Sequence, residues 1–298
     1  MSELNKIALK ILSNGKGILA ADESNGTMTK RLDSVNISSS PENRLLFRET
    51  LFTADSMKDC IGGVILYDET INQTSNDGKS IPSMILEKGA VPGIKVDTGA
   101  KDLANSLDEK VTEGLDGLRE RLKRYHELGA RFTKWRGVYS IGEKYPSKLA
   151  INTNAHALAR YSALVQECGM VPIVEPEVLM DGEHSAEECF TKTSEVIQKC
   201  FEELIIHKID LTGIILKPNM ILAGNKSKNK ISNEEVSYKT LECLKKSVPR
   251  EVPGIAFLSG GQSEIEATEN LNLINKNNDT NFIMTYSYGR ALQQSALK

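Results

Sequence analysis

Eight short apolar runs, each separated from the next by residues at helical spacing, constrain this chain more than any other feature of it. The runs are Lys16–Ser24, Ile61–Glu69, Val91–Asp97, Arg131–Val138, Val171–Val178, Gly213–Asn219, Gly254–Gln262 and Asn281–Arg290. Strands that read as near-continuous apolar runs belong in a parallel sheet covered on both faces. The intervening stretches supply the cover. Helices are predicted at Pro41–Met57, with proline near its start, around Ile85, at Leu118–Ala130, at Ser185–Lys208, at Asn233–Ser247, and over SEIEATENLNLINK. Asn152–Gly169 is read as a helix with Asn152 as its N-cap and Gly169 as its stop. The residues between Asp97 and Leu118 read as a polar loop.

Eight alternating strand–helix units with no linker rich in Pro, Gly or Ser predict one domain, residues 1–298, folded as an α/β (β/α)8 TIM barrel. An N-terminal helix precedes it, with Ile7, Leu9, Ile11 and Leu12 at amphipathic spacing. A doubly wound open sheet is the alternative, but no Gly-x-Gly-x-x-Gly follows the first run. Eight residues follow Arg290, so the outer face of the last strand is expected to lie open or to be covered by another element.

Composition narrows the function classes. Thirty-seven basic residues against forty acidic ones, with pI ≈ 5.9, give no electrostatic case for nucleic acid or an anionic membrane. No apolar run approaches the ~20 residues of a membrane helix, and the N-terminal stretch lacks a secretory apolar core. The five cysteines form no Cys-x-x-Cys pair and read as free thiols of a reducing cytoplasm. His126, His156, His184 and His207 show no metal-ligand spacing, so no metal is expected. No Gly-x-Ser-x-Gly elbow appears.

Charged residues collect at the strand ends. In a barrel those ends share one mouth, where active sites sit. Asp22, Lys95, Lys134, Arg136, Glu175, Glu177 and Lys217 fall there. Period-two geometry puts Lys134 with Arg136, and Glu175 with Glu177, on one face of their strands. Several cations in a partly desolvated site disfavour one another's charge, so one lysine is expected to have its pKa lowered. A neutral amine is a nucleophile that condenses with a carbonyl to a Schiff base. Lys217, closing an apolar strand in front of a proline, is the best-placed candidate, and Glu175 or Glu177 could move protons beside it. Ser259–Gly261 and Tyr288–Arg290 end the last two strands, where glycine backbone and an arginine suit a phosphate.

The chain resembles the class I, Schiff-base fructose-bisphosphate aldolases of the animal and plant type. The likeness runs from Gly15 to Lys298 through GKGILAADES, ENR, CIGGVILY, GIKVD, KWR, NTNAHALARY, VPIVEPEV, LKPNM, FLSGGQSE and SYGRALQ. The resemblance implies reversible cleavage of fructose 1,6-bisphosphate in glycolysis and gluconeogenesis, without a metal or other cofactor. It implies Lys217 as the imine lysine and Glu175 as the principal proton carrier, assisted by Glu177, Lys134 and Asp22. Ser259, Gly260, Gly261, Ser287, Gly289 and Arg290 would hold one phosphate, Thr27, Lys30, Arg31 and Lys95 would line the far end near the other, and Arg136 would also bind substrate. A homotetramer in the cytoplasm, and an actin or adhesin-type second partner, are also implied. Family members of this type continue past the point matching Lys298 into a mobile tail ending in tyrosine that aids proton exchange. Turnover and oligomer stability are therefore expected to differ in a chain ending at Lys298. Another Schiff-base barrel, such as a transaldolase, and a barrel serving mainly as a binding scaffold are the competing readings.

Overall fold

A computed structural model describes residues 1–297. In chain order the elements are α1 (Glu3–Leu12), β1 (Gly17–Ala20), α2 (Asn25–Asp33), α3 (Pro41–Thr53), α4 (Met57–Cys60), β2 (Ile61–Leu66), α5 (Asp68–Ile71), α6 (Ile81–Glu87) and β3 (Val91–Lys95). A hairpin, β4 (Gly99–Asp102) and β5 (Lys110–Glu113), leads to α7 (Leu118–Glu127), β6 (Phe132–Tyr139), α8 (Lys148–Glu167), β7 (Val171–Val178) and α9 (Ala186–Ile206). The chain continues with β8 (Ile215–Leu216), α10 (Asn233–Ser247), β9 (Gly254–Phe257), α11 (Glu264–Lys276), β10 (Ile283–Tyr288) and α12 (Arg290–Leu297).

Eight strands close in the order β1-β10-β9-β8-β7-β6-β3-β2, every neighbouring pair parallel. This is the expected (β/α)8 barrel. Its lower interior is apolar: Ile18, Ile65, Phe132, Ile173 and Ile215 are fully buried there. The N-terminal helix plugs that end, burying Ala8, Ile11 and Leu12 against the strands. The approach is so close that a Cβ on Gly62 would stand 1.9 Å from the Ile11 carbonyl oxygen. Glycine is what admits the plug.

Two details depart from the sequence reading, and a third decides between alternatives it left open. The polar loop is a β-hairpin whose outward residues are mostly exposed, so it carries no apolar run to betray it. It is tied down by Thr112, whose N–H donates to Asn154 Oδ1 (3.0 Å) and whose hydroxyl donates to the Arg136 carbonyl (2.6 Å). Next, α8 starts a turn early: Ser147 is its N-cap, accepting from Ala150 N–H, and Asn152 lies inside the helix. Last, of the two outcomes expected for the outer side of β10, open or covered by another element, the second holds. Tyr288 donates to the Ala267 carbonyl of α11 (2.8 Å), and Gln293 of the two-turn α12 donates to the Ala20 carbonyl (2.7 Å).

Candidate active site

Register brings the charged strand ends together. Between β6 and β7, Arg136 pairs with Glu175 and Val138 with Glu177. The Lys217 N–H donates to the Val174 carbonyl (2.8 Å), extending β8 by one residue and setting its side chain beside Glu175. The result is a buried chain of alternating charge across the top of the barrel. Lys217 Nζ is 3.2 Å from Glu175 Oε1, Glu175 Oε2 is 3.2 Å from Lys134 Nζ, and Lys134 Nζ is 2.8 Å from Asp22 Oδ2. Glu175 Oε2 is buried and, despite that distance, has no well-angled hydrogen-bond donor. It is an acceptor without a committed proton.

Alternation decides the electrostatics. Burial alone would raise the Asp22 pKa, but Lys134 and Lys217 outweigh it and hold it at about 2. Glu175 is lowered in the same way: burial opposes, and Lys134, Lys217 and Arg136 prevail. Lys134 moves upward, because Asp22, Glu175 and Asp97 more than offset its desolvation. The expectation that cations would crowd one another and lower a lysine therefore fails at Lys134. The carboxylates interleave, and attraction dominates.

A cavity of about 430 Å³ opens above this chain. Its walls include Asp22, Thr27, Arg31, Lys95, Lys134, Arg136, Glu175, Glu177 and Lys217, and also Ser259, Gly260, Gly261, Ser287, Gly289 and Arg290. Every residue singled out from the sequence is thus at the mouth except Lys30, which sits on α2 away from the lining. On one side, Gly260 and Gly261 follow one another at φ +54° and +82° in a turn closed by the Gln262 N–H on the Ser259 carbonyl (3.0 Å), a kind of backbone able to offer N–H groups to an anion. The Ser287 hydroxyl is buried there without a partner. On the opposite wall, Thr27 and Arg31 lie one turn apart on α2, and Ser24 caps that helix.

Sequence reasoning missed two carboxylates that organise these walls. Glu23 pairs with Arg31 (2.5 Å), whose guanidinium also donates to Gln293 (3.0 Å), and the fully buried Arg48 donates to the Glu23 carbonyl (2.7 Å). Burial raises the Glu23 pKa against the pull of Arg31. Asp97 pairs with Lys95 (3.2 Å) and accepts from the Gly99 N–H (3.1 Å). Both stand in quoted motifs, next to Asp22 and two residues past Lys95, so adjacency was the available signal. Arg136 is engaged by Glu177 at 2.5 Å; burial opposes its charge, but Glu177 and Glu175 outweigh it and hold its pKa up.

Away from the mouth, packing of α8 on α9 brings His156, Glu203 and His207 together, which their linear spacing does not show. No helix among the described residues is long and apolar enough to cross a membrane.

Comparison with known proteins completes the picture. The family described as fructose-bisphosphate aldolase class-I matches residues 3–298. Fructose-bisphosphate aldolase C of Carassius auratus is 50% identical over 99% of this chain and 82% of its own length. Cytosolic fructose-bisphosphate aldolase 6 of Arabidopsis thaliana is 49% identical over 99% and 83%. Among solved structures, fructose-bisphosphate aldolase of Plasmodium falciparum, in complex with TRAP and a small-molecule inhibitor, superposes with a TM-score of 0.97 at 43% identity. It covers 99% of this chain and 86% of its own. With the barrel and its lysine–carboxylate mouth, these matches show that the chain belongs to the class I fructose-bisphosphate aldolases, lyases that reversibly cleave fructose 1,6-bisphosphate through a Schiff base.

Proposed function

We propose that Lys217 is the lysine that forms the imine in this aldolase, and that Glu175 is its proton carrier. The observation that carries the reading is Glu175 seated between Lys217 and Lys134, one oxygen at 3.2 Å from each lysine nitrogen. In this reading the Lys217 amine adds to the C2 carbonyl of the open-chain bisphosphate, and water leaves to give the protonated imine. Asp22 orients the C4 hydroxyl, which gives its proton to the Glu175 carboxylate as the C3–C4 bond breaks. The bonding electrons flow to the imine nitrogen, and glyceraldehyde 3-phosphate departs. Glu175 relays the protons of imine formation and enamine protonation, and Glu177 assists. Hydrolysis then releases dihydroxyacetone phosphate and restores the amine. Lys134, its charge held on by two carboxylates, keeps Asp22 and Glu175 ionised.

The protonated imine is itself the electron sink, so no metal or cofactor enters this reading. One phosphate rests on the turn of Ser259, Gly260 and Gly261 with Ser287, Gly289 and Arg290. The other is drawn to the wall bearing Thr27, Arg31 and Lys95, with Lys30 at most a distant charge. Arg136, braced by Glu177, reaches the sugar between them. We read residues 1–298 as one domain working in the cytoplasm, as the cytosolic name of the Arabidopsis thaliana relative supports. A homotetramer and an actin or adhesin-type partner remain part of the proposal. The complex of the Plasmodium falciparum enzyme with TRAP supports a protein partner of some kind.

The test is Lys217→Met, isosteric but without the amine. Cleavage should fall to background while the bisphosphate still binds. Retention of more than a few per cent of kcat would move the nucleophile elsewhere.

A further inference from the structure

We propose that His156, Glu203 and His207 form a surface site for a divalent transition-metal ion, Zn2+ or Cu2+, bridging α8 and α9. The aldol chemistry described above uses no histidine, yet folding brings these two within 5.0 Å, ring centroid to centroid, in an edge-on arrangement. Each of the three residues offers a donor atom, and those atoms lie within 4.8 Å of one another. Glu203 lies in the last turn of α9, and His207, four residues on, is the C-cap of that helix, its N–H donating to the Glu203 carbonyl. His156 comes across from α8, which packs alongside.

The hydrogen bonds prepare the group as ligands. Glu203 Oε1 is held by Lys199 at 3.1 Å, while Oε2 stands 3.2 Å from His156 Nδ1 and 3.9 Å from His207 Nδ1. His207 Nδ1 is 2.8 Å from the Glu203 main-chain carbonyl. A ring that donates there has its tautomer set and carries its lone pair on Nε2, the arrangement found when backbone orients a ligand histidine. His156 is exposed and its two companions are half-buried, leaving coordination positions open to water. His156 borders one surface hollow and His207 another, with Arg160 shared by both, so an ion and its waters have room.

Two imidazoles and one carboxylate suit Zn2+, Ni2+ and above all Cu2+, and not Mg2+ or Ca2+, which ask for oxygen ligands. None of the three residues lines the mouth, so the ion takes no part in cleavage.

Titration calorimetry with Zn2+, and Cu2+ electron paramagnetic resonance, on the intact protein and on His156→Ala, His207→Ala and their double variant test the site. The expected result is one ion per chain and nitrogen hyperfine structure from two imidazoles. Either single variant should weaken binding at least tenfold, with cleavage activity unchanged as proof of folding. Binding of equal affinity and stoichiometry in the double variant, or no saturable binding to the intact protein, would overturn the proposal.

Discussion

The Lys134–Asp22 pair allows a quantitative forecast. Lys134→Met leaves Asp22, and in part Glu175, ionised in a buried site without their main counter-charge. Breaking one side of a buried pair costs about 3–5 kcal/mol. The share belonging to Asp22 follows from its pKa, held at about 2 against 3.8 unperturbed. That depression is worth about 2 kcal/mol at ~1.4 kcal/mol per pKa unit. Because burial pulls the other way and Lys134 leads the attractions, the pair itself supplies about 2 kcal/mol or more. Lys134→Met with Asp22→Asn should therefore recover about that much of the single variant's loss. A folded-state pKa below the unfolded one stabilises fully above about pH 4, and that contribution is lost as the pH falls towards 2. The coupling should fade over the same window. Urea unfolding followed by Trp135 is the assay; it is the chain's single tryptophan, adjacent to Lys134 and fully buried. Additivity of the two substitutions within about 0.5 kcal/mol at pH 7 would refute the coupled network.

Further outcomes follow from the mouth. Glu175→Gln should lower kcat by about 10²–10⁴, since an amide cannot relay a proton. Steady-state kinetics with bisphosphate binding measured separately checks this, and an unchanged kcat would remove Glu175 from proton transfer. Gly261→Ala should destabilise by about 1–2 kcal/mol, because its left-handed φ of +82° disfavours a side chain. It should also raise KM, since the new Cβ would meet the Met180 sulfur at 2.6 Å and shift the turn; thermal melts and kinetics read the two effects. Arg290→Lys should raise KM about tenfold with a smaller change in kcat, a planar fork being replaced by a point charge. An unchanged KM would place the phosphate elsewhere.

How much was legible in the sequence depended on burial. β7 was delimited to the residue because every position of Val171–Val178 is buried, Glu175 and Glu177 included. The β4–β5 hairpin was invisible for the opposite reason: it is held by Thr112 and Asn154, not by an apolar face. The start of α8 was misplaced because Asn152 resembles a cap, whereas the Ser147 hydroxyl makes the bond. Strand assignment gathered Lys134, Glu175 and Lys217, since a closed barrel must converge its strands, although Lys134 and Glu175 sit within β6 and β7 and not at their ends. The signs of their interactions needed the register and the rotamers. The Asp22–Lys134–Glu175–Lys217 alternation runs across residues of four different strand segments and cannot be read along the chain. Glu23 and Asp97 escaped notice because their roles are to hold Arg31 and Lys95, which only the fold reveals. Lys30 was named through the family resemblance, and it sits on α2 outside the cavity lining.

The most direct measurement is borohydride trapping with dihydroxyacetone phosphate in the presence of EDTA, followed by peptide mass spectrometry. A stable reduced adduct on Lys217, formed without metal, is the expected result. An adduct on Lys134 or another lysine, or no adduct together with activity abolished by EDTA, would contradict the account.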